Sequence, residues 1–539
     1  MTTAIKNIFS GKDTSSAPHK TGSFRVMPRA TPPKPVNSPR ILIVGAGSRG
    51  HAYARSITAA TSGTIVGVAE PDEYKRRSLV REYSIPIELA FTSWTELVGE
   101  HKGLVMSRVD GVCVCTLDET HEEIVLAIRP LNLHILCEKP LSTTLESCVR
   151  MASTISDPDL PPILLAIGHV LRYSPHNMLM KKLVCEDKLL GEIVNVNHTE
   201  PVGWYHFAHS YVRYYYPCLC SPSADLCRGN WRRKETAAPS LLTKCCHDID
   251  LLLWLLCSPA ATATPHLPST VSSSGSLVHF RRTRKPVKAG NATNCLSCPA
   301  EPDCVFSARK IYVEKNLKKM NMGWPVKIVV PDIEEATSME AAEAMLTQKL
   351  GEDYGSEGTM VDGEQKSYYG RCVYETDNNV LDNQVVTISW DDDSASISPS
   401  GAPEEGRGAK TATLTMVAFS EKICERFTRI YGTKGELEAD SCQIKIYDFE
   451  TGVKKTWVPS MDMLSGHGGG DNGLAGAFVD AIDKVKNKGW TVDKAQKEII
   501  GVTAEEVLRS HAAVFWAEEA RVNRQILEWG QWWAQNVRS

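Results

Sequence analysis

The sequence predicts two large folded units. The first is an α/β unit with a doubly wound parallel sheet near the start of the chain, and the second is a larger α+β unit with a mainly antiparallel sheet. Three observations point there. From Arg40 to Ile167 short β-branched runs alternate with helix-like stretches, the pattern of βαβ units. The first run leads straight into a glycine-rich turn. Beyond residue 190 strand-like runs follow one another with few helices between them, as antiparallel sheets require. A chain of 539 residues that is 42% hydrophobic and 23% charged has the composition to bury a sizeable core. Its net charge of -4 provides no global positive field to gather nucleic acid or anionic lipid. A small-molecule partner is expected.

Residues 1–38 carry Lys and Arg among Ser, Thr and Pro, with Asp13 the sole acid and no apolar stretch of signal-peptide kind. They read as a disordered arm or a transit peptide, and the protein as cytoplasmic. Strands are expected at Ile41 to Val44, Thr64 to Ala69, Gly111 to Cys115, His134 to Cys137 and Ile163 to Ile167, with helices starting near Arg49, Asp72, Glu119 and Thr143. This defines a unit over 39–168. The second unit, 169–539, is expected to hold a helix from Pro175, a strand at Glu192 to His198 and an apolar helix from Leu241 to Leu256. Further strands are expected at Ser276 to Phe280, Asn383 to Trp390, Ala412 to Phe419 and Arg426 to Tyr431, with two closing helices. Segments 259–275 and 391–410 are rich in Ser, Thr, Pro, Gly or acid and read as surface loops. The longest apolar run, Leu251 to Cys257, is far short of the ~20 residues that span a bilayer.

The turn after the first strand reads Gly45-Ala-Gly47-Ser48-Arg49-Gly50, a G-x-G-x-x-G between a strand and a helix, which is the Rossmann dinucleotide fingerprint. The first glycine allows the tight turn, the second admits the pyrophosphate, and the third lets the helix approach the strand. Backbone amides at the helix N-terminus then hold phosphate. Glu70 ends the second strand, 20 residues after Gly50, where its carboxylate can accept from ribose hydroxyls. That favours NAD, although Lys75, Arg76 and Arg77 follow and leave NADP open.

Two further constellations carry chemistry. Glu138-Lys139-Pro140 follows the strand His134 to Cys137, at the carboxyl end of a parallel strand where such sheets bind ligands. His247-Asp248-Ile249-Asp250 opens the apolar helix. His247 and Asp250, three apart, share a helix face, so the acid is expected to orient or charge-stabilise the imidazole. With the glycine turn, Cys137-Glu-Lys-Pro-Leu141, His169-Val-Leu-Arg172-Tyr173-Ser-Pro175, His247-x-x-Asp250, Gly432-Thr-Lys-Gly435 and His467-Gly-Gly-Gly-Asp471, the chain resembles the glucose-fructose oxidoreductase, inositol dehydrogenase and MocA family. The motifs span residues 40 to about 525.

The resemblance implies a Rossmann domain joined to a substrate domain on an open, mainly antiparallel sheet, acting as an NAD(P)-dependent oxidoreductase on sugars, cyclitols or polyols. Lys139 would lie between the nicotinamide ribose and the substrate hydroxyl, and His247 would be the acid/base. Arg172 and Tyr173 would line the cofactor or substrate side, and Thr116 the nicotinamide side. The resemblance also implies a homo-oligomer. Two relatives' activities remain alternatives: NAD-cycling glycoside hydrolysis, and metabolite sensing without catalysis. Thr243 stands where many members carry an aspartate, and Leu117-Asp118 replaces their usual Pro-Asn, so Asp118 is left outside the predicted site.

The stretch 213–227 reads as an insertion ahead of Arg228-Gly-Asn-Trp231, and Trp231 is expected to shape the substrate pocket. Cys295-x2-Cys298-x5-Cys304 has the look of a structural zinc knuckle that needs a fourth thiolate. Cys246, beside His247, could supply it, and ordinary reduced thiols are the favoured reading of these cysteines. The basic run Arg281 to Lys285 lacks interleaved aromatics and reads as a solvated turn.

Overall fold

A strand with no polar position must be covered on both faces, and Ile41 to Val44 are all buried. In the computed structural model, which describes residues 34–213, 231–257, 264–352, 368–393, 407–459 and 466–537, this strand sits in the middle of a six-stranded sheet. Its members are β1 (Arg40–Val44), β2 (Thr64–Ala69), β3 (Ala90–Phe91), β4 (Gly111–Val114), β5 (His134–Cys137) and β6 (Leu165–Ile167). The order is β3-β2-β1-β4-β5-β6 and every pairing is parallel. The strand order reverses between β1 and β4, so the carboxyl ends there open a crevice, the usual ligand position of a doubly wound sheet.

The second sheet has nine strands: β7 (Ile193–Pro201), β8 (Thr270–Ser276), β9 (Asn383–Trp390), β10 (Lys410–Val417), β11 (Phe427–Gly432), β12 (Gly435–Ala439), β13 (Ile444–Asp448), β14 (Lys454–Trp457) and β15 (Leu527–Glu528). They run in the order β14-β13-β12-β11-β7-β10-β9-β8-β15. Only β7 and β10 pair in parallel, and the remaining pairings are antiparallel. Burial alternates along β9 as along β10, the signature of a sheet covered on one face. The covering helices are Ser240–Leu256 and Ala504–Asn523.

The expected loop 259–275 is corrected in its described part, because Thr270 to Ser276 form β8, paired along their length with β9. Register with β9 overrides the weak strand preference of Ser and Gly. The strand expected at Ser276 to Phe280 ends at Ser276 instead, where the Asp382 carboxylate takes the Val278 and His279 amides, each at 2.8 Å. Lys410, placed in the second loop, opens β10; residues 394–406 of that loop lie outside the described residues, as do 1–33 and 214–230.

The helix Gly470–Lys488 returns to the first sheet. Leu474, Phe478, Val479 and Ile482 join the core formed by β1 to β6, and the helix packs along Ser48–Ala60. A separate small core gathers Ile311, Tyr312, Leu317, Val326, Leu346 and Tyr369. Among the described residues no helix is long and apolar enough to cross a membrane.

Three histidines are held neutral by burial: His134, pushed down to about 4, and His209 and His511, each to about 3. A folded-state pKa below the unfolded one means the unfolded chain binds more protons between the two values. Stability from these groups is therefore present above about pH 6.5 and is lost as pH falls toward about 4 and then about 3. The thermal midpoint is expected to fall steadily between pH 7 and pH 4; a flat profile would contradict the burial of these imidazoles.

Candidate active site

The glycine turn has the geometry a dinucleotide requires. Gly45 sits at φ +92°, and a Cβ there would lie 2.6 Å from the Cys115 carbonyl oxygen. A Cβ at Gly50 would lie 2.0 Å from the Gly45 carbonyl oxygen, whereas one at Gly47 would meet nothing within 4 Å. The chain is thus closed at the first and third glycines and open at the second, where a pyrophosphate would approach. Ser48, exposed, starts the helix Ser48–Ala60, whose first amides face that opening. Glu70 is buried at the end of β2, accepting from the Ala46 amide at 2.7 Å and the Asp72 amide at 3.0 Å. The nearby cations are engaged: Arg76 donates to the Glu70 and Pro71 carbonyls, Arg77 pairs with Glu73 at 2.6 Å and Lys75 with Asp72 at 3.6 Å.

Arg49 ties this turn to the rest of the site. Its Nε donates to Glu138 Oε1 at 2.7 Å and its two Nη atoms to the Asp471 carboxylate at 3.0 Å each. Asp471 Oδ1 lies 3.0 Å from His467 Nδ1, and the His467 ring stands 6.4 Å from that of His247. Burial opposes ionisation of Glu138, but Arg49 and Lys139 outweigh it and hold the carboxyl below its usual range. An ionised Glu138 then fixes the Lys139 backbone by accepting its amide at 2.9 Å.

Lys139 leaves the end of β5 and reaches the apolar helix, donating from Nζ to the Thr243 carbonyl at 2.7 Å. Thr243 and His247 are one helical turn apart on the same face, so this contact brings the ammonium near enough to the imidazole to act on its charge. Beside Lys139 stands Trp231, whose ring lies 5.6 Å from Lys139 Nζ and stacks at 5.5 Å on Tyr211. Trp231 Nε1 donates to Asp118 Oδ2 at 2.8 Å. Asp118, omitted from the predicted site, therefore lines it; burial raises its pKa against the pull of His121 and Lys139. Thr116, expected on the nicotinamide side, accepts at Oγ1 from Thr120 at 2.8 Å.

His247 is buried, and its partners differ from those expected. Asp250 does not reach it. The Asp250 carboxylate takes two bonds from Arg172 at 2.7 and 2.8 Å and one from Ser510 Oγ at 2.7 Å, and it lies 3.2 Å from His169. Arg172, expected beside the cofactor, is consumed by this buried pair, and Tyr173 donates its hydroxyl to the Ile500 carbonyl at 2.8 Å. The imidazole is instead held by Asp248, 3.2 Å from Nε2, and by Arg426, whose Nη2 lies 2.6 Å from the same nitrogen. Arg426 also bonds Asp248 at 2.9 Å and is ion-paired with Glu200 at 2.7 Å. His198 Nε2 adds a contact to Asp248 at 3.0 Å. His247 Nδ1 is buried without a hydrogen-bond partner. Burial pushes His247 well below its usual range; Asp248 opposes, while Arg426 and Lys139 reinforce the shift. The ring is therefore neutral near pH 7.

The expected zinc quartet is corrected. Cys246 does not join Cys295, Cys298 and Cys304, which line a cavity without it; its sulfur lies within 4.8 Å of nitrogens of His169 and His511. That trio is not a free ligand set, because His511 Nε2 accepts from the Leu141 amide and its Nδ1 bonds the Val507 carbonyl, both at 2.8 Å.

A family profile described as "Oxidoreductase family, NAD-binding Rossmann fold" matches residues 39–159. Among curated proteins, inositol 2-dehydrogenase 2 of Saccharopolyspora erythraea is 29% identical over 228 residues, covering 42% of this chain and 56% of the relative. An inositol 2-dehydrogenase of Corynebacterium glutamicum strain R is 30% identical over 156 residues, covering 29% of this chain and 43% of its own length. The chain thus spans about half the length of the curated relatives it matches. Among solved structures, an inositol dehydrogenase homologue from Azotobacter vinelandii in complex with NAD+ aligns with a TM-score of 0.57 at 14% identity, covering 92% of this chain and 99% of that one.

Proposed function

Because the chain belongs to the glucose-fructose oxidoreductase, inositol dehydrogenase and MocA family of oxidoreductases, we propose that it transfers hydride between a nicotinamide cofactor and a secondary hydroxyl of a sugar, cyclitol or polyol. The observation that carries this reading is the meeting of Lys139 Nζ with the helix turn that bears His247, beside a turn open at Gly47. The preferred cofactor is NAD: Glu70 is buried at the ribose position and the cations that follow it are paired elsewhere. When bound, the nicotinamide ring supplies the hydride acceptor or donor.

The chain's own groups do the rest. Lys139 stabilises the negative charge that develops on the substrate oxygen. In the tautomer that carries its proton on Nε2, turned toward Asp248 and away from Arg426, His247 Nδ1 keeps its lone pair and accepts the hydroxyl proton, and the imidazolium so formed is charge-paired with Asp248. In the reducing direction the same proton returns from Nδ1. Trp231, backed by the buried Tyr211, offers an aromatic face to the apolar side of a sugar ring and excludes water from it. Similar proteins include inositol dehydrogenases, and one structural neighbour was solved with NADH and myo-inositol. Cyclitols are accordingly the first substrates to try.

The test is a screen of purified protein with NAD or NADP and a panel of cyclitols, sugars and polyols, followed by the near-ultraviolet absorbance of reduced cofactor. Substrate-dependent reduction with NAD preferred is the expected result. Retained NAD with cleavage of a chromogenic glycoside and no net reduction would overturn the reading in favour of redox-cycling hydrolysis. Binding without turnover of either kind would favour a sensor.

A further inference from the structure

Away from the dinucleotide cleft, four cysteines surround one cavity of about 20 Å³, lined by Cys295, Cys298, Cys304 and Cys372 together with Arg213 and Phe306. That is room for one atom-sized occupant. Cys372 is remote in sequence, but the backbone brings it in. Asn294 and Arg371 form an antiparallel bridge, the Cys295 amide donates to the Gly370 carbonyl at 2.8 Å, and the Cys372 amide donates to the Thr293 carbonyl at 2.7 Å. Cys295 to Ser297 make a 3-10 turn capped by Asn294, whose side chain accepts from the Leu296 amide at 2.8 Å. The Cys298 amide returns to the Cys295 carbonyl at 3.2 Å. A turn that places two thiols of C-x2-C on one side of a loop is what a tetrahedral thiolate site is built from.

Charge supports the same reading. Arg213 is buried against the cavity and donates from Nη2 to Cys295 Sγ at 3.3 Å, while its Nη1 is buried with no hydrogen-bond partner. A buried guanidinium with an unused donor calls for negative charge beside it. Four thiolates around a divalent cation carry a net charge of about -2 and supply it. The region also needs a brace, since the small core beside Cys295 stands apart from the two large ones, and small cores are commonly stapled by a structural metal.

The geometry points to a structural zinc site in which Cys295, Cys298, Cys304 and Cys372 are the four ligands and Arg213 the charge-balancing neighbour. No three of these four sulfurs lie within 4.8 Å of one another in this structure, so the thiols close on the ion by side-chain rotation, each losing its proton to solvent as it binds. This assignment is independent of the proposed oxidoreductase chemistry and uses none of its residues.

Elemental analysis of the purified full-length protein is the experiment. The expected result is one zinc per chain, lost on Cys372→Ser and on Cys298→Ser but kept on Cys246→Ser. Should the cysteine variants fail to fold, wild-type protein exchanged into Co2+ is expected to show the visible bands of tetrahedral thiolate coordination, and chelation to expose about four further thiols to a thiol reagent. Wild-type protein free of stoichiometric metal, zinc retained in a folded Cys372→Ser variant, or iron with labile sulfide in place of zinc would each overturn the assignment.

Discussion

His247→Ala is expected to lower kcat by about two to four orders of magnitude, the range that a positioned acid/base contributes, and to leave the dissociation constant for NAD unchanged. The residue touches no part of the glycine turn, whose contacts run through Arg49, Glu138 and Glu70. Folding should be little affected, because Arg426 keeps Asp248, Glu200 and the Cys424 carbonyl as partners once the imidazole is gone. Stopped-flow turnover with the best substrate of the screen, beside a cofactor titration by fluorescence, separates the two quantities. A loss of less than tenfold in kcat would mean that the proton goes elsewhere, and Lys139 or Asp118 would be the next group to remove.

Asp250→Ala should act on stability. It leaves Arg172, 6% exposed, as a buried cation without its carboxylate and strips Ser510 Oγ and His169 of the same partner. Breaking a buried pair in this way costs about 3–5 kcal/mol. The Asp250 carboxyl is held well below its usual range despite burial, chiefly by Arg172 and then by His169, so the pair is ionised throughout the neutral range. The expected result is a large fall in the urea midpoint, with the pH profile of kcat unchanged in whatever protein remains folded. A shifted pH profile at undiminished stability would show Asp250 coupled to His247 after all. The contrast between these two variants separates the groups that do chemistry from those that hold the helix in place.

Much of this was legible in the sequence, and the exceptions share a cause. The glycine turn, Glu70, Lys139 and His247 announce themselves because each depends on a local arrangement: strand, turn and helix within a few tens of residues. Asp250 was assigned to His247 from helix periodicity, which correctly places the two on neighbouring positions. Periodicity cannot say that Arg172, 78 residues away, claims that carboxylate first. Arg426 and Glu200 carry no motif and enter the site only because β11 pairs with β7. Asp118 was omitted because it departs from the expected pattern, although an acid beside Lys139 and Trp231 is chemically apt there. The Ser-rich β8 was read as a loop for its composition, and its strand conformation comes from its neighbour β9.

The return of the helix Gly470–Lys488 to the first sheet bears on how the molecule is made. The nucleotide-binding half begins within the first tenth of the chain, yet Leu474, Phe478 and Ile482 from near the other end complete its interior, and the Arg49 to Asp471 contact joins residues 422 positions apart. While the ribosome is still synthesising the long middle of the polypeptide, the parallel sheet must wait with one flank bare. Pairings of such sequence separation close slowly, and an exposed apolar flank invites association with other chains in the interval. Premature termination anywhere before that helix would release a product whose first folded unit is as incomplete as its second.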